Sequence, residues 1–451
     1  VSQVAFEGRH FVFARRAVKL QGMQRIEGYE AARQSLLESN AQRAFSAQPE
    51  REDTVRAICE DVRRNGDDAL LRYTRQFECP HFETANLRVT EAEIEAAWQS
   101  MPARAQVALQ RAADNIEAFH RAQPVGDWFT HSPEGAFLGQ RYTPVERAGM
   151  YAPNFHAAYP STVLMLAIPA RVAGVRELVL ASPPSKDGTA HPVILAAAKV
   201  AGIHEIYRVG GAQGMAALAY GTPSIRAVDK IVGPGSIWVT LAKKYLYGAV
   251  GIDGLYGPSE VVVLADDTVG EERAEQLAAD LIAQAEHGAD SFVCFICTSP
   301  ALCDAVLRAV EIQVDASGRA EILRQSLENS IAIVTGSTDE AVELTNLAAA
   351  EHVEIWSSDA LALMPRVRDA GAIFLNTPVP LGDYIAGPSH TLPTGATARF
   401  AHGVGVETFL KRTSVVAAPP SAIAALAEDL AVIAELEDLP GHAAAVRRAA
   451  V

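Results

Sequence analysis

Residues 260–298 read EVVVLADDTVGEERAEQLAADLIAQAEHGADSFVCFICT. An unbroken apolar run at 261–265 is followed by an acidic turn. Apolar residues then recur at helical spacing over 271–286, and a second apolar run fills 292–296. Short apolar runs on either side of a long amphipathic helix predict two strands joined by a crossover helix, the unit of a parallel sheet. Working outward, the alternation continues in both directions. Towards the C-terminus a helix is expected over 301–310, with further strands at 331–334, 353–356 and 372–375. Towards the N-terminus the pattern predicts strands at 176–181, 205–209 and 230–232, alternating with helices at 191–200, 212–220 and 236–247. This order implies an α/β fold of two tandem, incomplete Rossmann-like domains with parallel sheets covered by helices.

At the edges the pattern changes. Residues 27–123 are mainly helical in spacing, and 141–152 reads as one strand ending in a turn at Tyr151-Ala-Pro. Beyond Arg412 the composition shifts. Pro419-Pro420 breaks the chain and an alanine-rich helix is expected over 422–434. Such a tail is too thin for a core of its own and is expected to dock on another surface, such as a partner subunit. The expected organisation is an N-terminal extension and helical segment at 1–44 and a discontinuous first α/β domain at 45–150 and 259–405. The second α/β domain takes 151–258, and the tail takes 406–451.

The chain has 451 residues, 49% of them hydrophobic and 21% charged, values of an ordinary globular protein. A formal net charge of −15 argues against nucleic-acid or anionic-membrane surfaces, which need a clustered basic face. No apolar run approaches the ~18–20 residues of a membrane span. Residues 1–22 carry Arg9, Arg15, Arg16 and Lys19 but no apolar core or small-residue cleavage site, so a secretory signal is not expected. Five cysteines, an odd number, point to reduced thiols in a cytoplasmic setting. Cys294 and Cys297 have CxxC spacing, but on a strand they face opposite sides, and no second pair completes a zinc site.

Four stretches carry chemistry. Gln284-Ala-Glu-His287-Gly ends the long helix and places Gln284 and His287 on one face. It reads either as a pair of metal ligands or as a polar C-cap with His near the negative end of the dipole. Glu351-His352 precedes a strand and reads either as a pair of bases or as a surface loop. Residues 381–395, containing Asp383 and His390, are rich in Gly and Pro and follow a strand; the region beyond carboxyl ends of strands is where α/β sheets bind ligands. Glu437-Asp-Leu-Pro-Gly-His442 lies in the tail. No GxGxxG occurs. The turns Gly210-Gly-Ala-Gln213 and Gly233-Pro-Gly235-Ser236 precede helices and serve either as phosphate sites or as tight connections.

Taken together and in order, these motifs resemble the histidinol dehydrogenase family, zinc- and NAD-dependent enzymes of the last steps of histidine biosynthesis. The resemblance runs from about 23 to 442. It rests on Gly210-Gly-Ala-Gln-Gly, Ile231-Val-Gly-Pro-Gly, Gly257-Pro-Ser-Glu, Gln284-Ala-Glu-His-Gly, Glu351-His, Gly382-Asp-Tyr-Ile-Ala-Gly-Pro-Ser-His-Thr-Leu-Pro-Thr and Gly403-Val-Gly-Val-Glu-Thr-Phe-Leu-Lys-Arg-Thr-Ser. It implies one Zn2+ per subunit held by Gln284, His287, Asp383 and His442, with Glu351 and His352 as catalytic bases. Ser259, Gln284, His287, His352, Asp383, His390, Glu437 and His442 would bind L-histidinol, and Tyr151, Gln213 and Ser236 would bind NAD. It also implies a homodimer in which Glu437 and His442 complete the neighbouring site. Two positions depart from the family pattern, both on the nucleotide side. Asn154-Phe155-His156 replaces a usual Gly-Gly after Tyr151-Ala-Pro153, and Ser236 replaces a usual Asn. The competing readings are a relative that oxidises another small polar alcohol, such as a sulfonated diol, a zinc hydrolase, and a non-enzymatic metal-binding or assembly protein.

Overall fold

The computed structural model describes residues 18–19, 22–43, 49–154 and 158–450. Phe155 and His156, and most of the 1–22 stretch, lie outside the described residues. The chain forms two compact units. The first comprises Val1–Asp61, Pro234–Leu246 and Gly254–Gly403; the second comprises Val62–Gly233, Tyr247–Asp253 and Val404–Val451.

The first unit is built on a sheet with strand order Val18–Lys19, Gln24–Glu27, Ile331–Val334, Phe292–Cys297, Glu260–Ala265, His352–Trp356, Ala372–Leu375. All neighbours are parallel except the two-residue first strand. Alternation decides which side chains meet which helices. Val261, Val263, Val293, Phe295 and Cys297 pack on one face with the helices Ala274–Ala285 and Pro300–Ala316. Val262, Leu264, Cys294 and Ile296 pack on the other with Tyr29–Arg43 and Thr338–Ala348. Cys294 and Cys297 thus face opposite sides, as their spacing requires, and all five cysteines are buried thiols outside any disulfide.

The second unit holds a parallel five-stranded sheet, ordered Glu205–Arg208, Glu177–Ser182, Arg147–Tyr151, Lys230–Val232, Gly251–Ile252. At the amino ends of three of these strands the buried Arg147 guanidinium bonds Glu177 at 2.6 Å and Glu205 at 2.5 Å. A separate antiparallel sheet orders Leu410–Ala417, Phe137–Pro144 and Trp128–His131.

Three features differ from the sequence reading. The single strand expected over 141–152 is two, Phe137–Pro144 and Arg147–Tyr151, in different sheets. The chain changes sheets immediately after Pro144, which has no N–H for a ladder, and Val145 N–H instead bonds Phe409 O at 2.9 Å. Helix Pro160–Ala173, with Ser161 to Ala170 all buried, was hidden by its uniform apolarity, which leaves no amphipathic period to detect. Residues 62–150, expected with 259–405, fall instead in the second unit with 151–233, and 404–451 joins them through the strand Leu410–Ala417.

Gly233 shows how tightly one connection is built. Its φ is +120°, its N–H bonds Asp253 Oδ2 at 2.7 Å, and an added Cβ would lie 2.4 Å from Tyr151 O. Gly233→Ala is therefore expected to lower unfolding stability by about 1–3 kcal/mol or more. Chemical denaturation of the purified variant measures this, and a midpoint equal to the parent's would mean that the turn relaxes freely.

Candidate functional site

Two adjacent strands begin side by side in the first unit, with His352 in register with Val261. The residue before that register, Glu260, acts through its backbone. Its N–H donates to Glu351 Oε2 at 3.0 Å, and its carbonyl lies 3.1 Å from His352 Nδ1. A carbonyl only accepts, so Nδ1 carries a hydrogen and the ring's other nitrogen faces the site. That nitrogen, Nε2, is 3.0 Å from Asp383 Oδ1. Asp383 Oδ2 accepts from Gln284 Nε2 at 3.2 Å, and Asp383 O lies 2.8 Å from His390 Nδ1. The structure therefore brings Gln284, Glu351, His352, Asp383 and His390 into one connected cluster, with His287 close enough to feel the Asp383 charge. Ser259 adjoins it, its carbonyl accepting from Phe292 N–H.

The cluster lies at the amino ends of the strands, which corrects the expectation that Asp383 and His390 sit beyond a carboxyl end. After strand Ala372–Leu375 the chain doubles back. Val379 N–H bonds Glu354 Oε1 at 3.0 Å in mid-strand, and the wide helical turn Gly382–Ala386 then delivers Asp383 to His352, the strand's first residue.

Electrostatics follow from burial and neighbours. Burial pushes the Glu351 carboxyl up to about 8, against the pull of His352. Burial opposes the charge on His352, but the Glu351 and Asp383 carboxylates outweigh it and carry the imidazole up to about 9. Burial also works against Asp383, yet His352 holds it ionised below its usual value. His287 and His390 are both lowered, by burial, against the attraction of Asp383. Neutral imidazoles, an ionised carboxylate and an amide oxygen are the donor forms a zinc ion takes. The amide oxygen is available, because Gln284 Oε1 is buried with no hydrogen-bond partner. Among the described residues, no three His, Cys, Asp or Glu side chains converge to hold an ion within one chain.

His442 and Glu437 are exposed, in and just before the helix Pro440–Ala449 of the second unit. Ser236 is exposed in the first unit, just ahead of helix Ile237–Leu246. Tyr151 and Gln213 lie in the second unit, at the carboxyl end of strand Arg147–Tyr151 and in the first turn of helix Gly211–Tyr220. Sequence reasoning missed their neighbour Glu78, whose Oε1 accepts from Gln213 Nε2 at 3.3 Å. Burial pushes Glu78 up to about 8, and burial together with Glu78 raises the Tyr151 hydroxyl. A Cβ on Gly210 would fall 2.6 Å from Cγ of the rigid Pro183 ring, as well as 2.4 Å from Glu78 Oε1, so this strand-to-helix turn demands glycine. Asn154, at the first departure from the family pattern, donates to Pro183 O at 3.5 Å.

The His352 charge makes a measurable prediction for protein stripped of divalent metal. Its ring should titrate near 9 by NMR, and Asp383→Asn should bring that value down. Its folded value lies above the unfolded ~6.5, so its share of stability is complete below about pH 6.5 and lost as pH rises through about 9. An unmoved ring titration in Asp383→Asn would break the assigned pairing.

A family model described as histidinol dehydrogenase matches residues 41–449. The histidinol dehydrogenase of Gloeobacter violaceus is 46% identical over 411 residues, covering 90% of this chain and 92% of that protein. That of Moorella thermoacetica is 48% identical over 395 residues, covering 87% and 92%. The crystal structure of histidinol dehydrogenase from Elizabethkingia anophelis superposes with a TM-score of 0.90 at 34% identity, covering 96% of this chain and 99% of that one. With the motifs in order along the chain and the fold shared nearly end to end, this protein belongs to the histidinol dehydrogenase family.

Proposed function

We propose that the chain oxidises L-histidinol through L-histidinal to L-histidine, using two NAD molecules in turn, as a homodimer with one zinc ion per subunit. The observation that carries this reading is the pinned pair Glu351 and His352 beside Asp383 and the unpartnered carbonyl of Gln284. Gln284, His287 and Asp383, with His442 of the tail, would hold the zinc. When bound, zinc offers open coordination to the substrate's imidazole and amine nitrogens, and NAD accepts each hydride.

The chain's own residues supply the proton chemistry. His352 is fixed through Nδ1 to Glu260 O, so its Nε2 is the nitrogen that takes the substrate hydroxyl proton as the carbinol hydride leaves. Glu351, anchored by Glu260 N–H, takes a proton from the water that hydrates the bound aldehyde. The hydrate then gives up the second hydride. Both groups act as bases, so kcat/KM is expected to climb with pH until both are deprotonated and then to level off. On the nucleotide side, Tyr151, Gln213 and Ser236 are the NAD-contacting candidates. The turn Gly210-Gly211 supports this, opening a helix N-terminus beyond the carboxyl ends of parallel strands.

The tail supports a dimer. Helix Pro420–Leu436 buries Ala422, Ala427, Ala431 and Ala434, yet exposes Leu426, Leu430, Ile433 and Leu436. An apolar stripe of this kind fits a partner surface, and its helix leads directly to Glu437 and His442. These two residues would then enter the neighbouring subunit's site.

Purified protein with L-histidinol and NAD should release two reduced cofactors per substrate and lose activity to a chelator. Turnover of a different alcohol but not histidinol would assign the chain to another substrate. His442→Ala and Glu351→Ala subunits, each inactive alone, should regain part of the activity when mixed. No recovery in a verified mixed dimer would exclude shared sites.

A further inference from the structure

Directly below the cluster lies a second acidic group that the reaction does not use. Asp280 stands one turn before Gln284 on helix Ala274–Ala285, and residues four apart share a helix face. Glu354 follows His352 by two on the same strand and so faces the same side. Glu354 is fully buried and Asp280 is 5% exposed. Glu354 Oε1 accepts from Val379 N–H at 3.0 Å, and Oε2 accepts from Trp356 Nε1 at 2.6 Å. The Glu354 and Asp280 carboxyls are close enough to act on each other, and Asp280 Oδ2 is buried with no N–H or O–H donor to satisfy it.

Three separate elements therefore meet on one carboxyl pair, and each delivers a residue to the cluster above. The helix brings Gln284, the strand brings His352, and the returning segment that starts at Val379 brings Asp383. Ionised carboxylates only accept, so two of them buried this close, one with an oxygen that no donor satisfies, must hold a proton between them. Burial, and then the Asp280 charge, push Glu354 up to about 8, while burial raises Asp280 to about 6. The shared proton is thus retained at neutral pH. An apolar pair of similar volume would fill this space without the cost of burying charge, so the acids are unlike ordinary core filling.

We propose that Asp280 and Glu354, joined by one proton, are positioning residues that hold Gln284, His352 and Asp383 in mutual register to receive the metal ion. This rests on the zinc reading of the cluster. The pair touches neither substrate nor ion, and acts through the three elements it ties together.

The experiment compares three variants by zinc titration of chelator-stripped protein, by kinetics and by infrared spectroscopy. Asp280→Asn supplies an amide N–H where the proton sat, so it should keep zinc affinity and kcat near the parent's. Asp280→Leu, folded by circular dichroism, should weaken zinc binding by about 10–100-fold and lower kcat, with KM for NAD unchanged. Parental zinc affinity in folded Asp280→Leu overturns the proposal, as does equal damage in Asp280→Asn. Should Asp280→Leu not fold, Glu354→Gln decides. It keeps a bond to Asp280 but turns an amide N–H against Val379 or Trp356, so its zinc affinity must fall; parental affinity there overturns the proposal.

The infrared arm uses stripped protein at pH 7. Parent minus Asp280→Asn should show the band of one protonated carboxyl, and its absence overturns the shared proton. A parent that binds no zinc would instead sink the reading of the cluster, while the infrared result would still decide whether the pair shares a proton.

Discussion

Glu260 is the point on which the candidate site turns. It opens an interior strand of the first unit's sheet, and its amide and carbonyl are taken by the side chains of Glu351 and His352. One peptide position thereby fixes both bases, including which imidazole nitrogen faces outward. Its own carboxylate is 1% exposed and would be costly to bury alone. Arg43 answers it at 2.7 Å, and Gly395 N–H bonds the same oxygen at 2.8 Å. The Arg43 guanidinium in turn lies 4.1 Å from the Phe292 ring centroid, on the neighbouring strand. The residue whose backbone orients the bases is thus held through its side chain by a helix end, a loop and a strand together.

The alternation of strands and helices was legible because it reports burial directly. Apolar runs of four to six residues separated by amphipathic helices can scarcely be arranged otherwise than as covered parallel sheets. What could not be read was partnership. Nothing in 141–152 says that its first half pairs with Leu410–Ala417, some 270 residues later. The uniformly apolar Pro160–Ala173 gives no period from which to identify a helix. The division into units follows contacts between distant segments, and composition carries no trace of these.

For the site, residue types and spacing named the participants but not their charges. Adjacency suggested that Glu351 and His352 act together. Only the fold shows that burial raises Glu351 against the pull of His352, while the Glu351 and Asp383 carboxylates raise His352 against burial. Glu260 stood inside a motif, Gly257-Pro-Ser-Glu, and that was the available signal, although its backbone role has no side-chain signature. Glu78 and Asp280 were passed over because an acid in a helix or at its end normally meets water. A carboxyl inside an otherwise apolar strand, as in 353–356, was the one visible hint.

The doubled-back segment after strand Ala372–Leu375 carries a consequence for how this chain can vary. Val379 is tied to Glu354 and Asp383 to His352, with the short helix Val379–Leu381 leading from one to the other. Inserting or deleting one residue inside that span would swing the Asp383 carboxylate by about 100° about the helix axis. The number of residues there cannot change without moving that carboxylate. Over those few positions the count of peptide units is itself the specification.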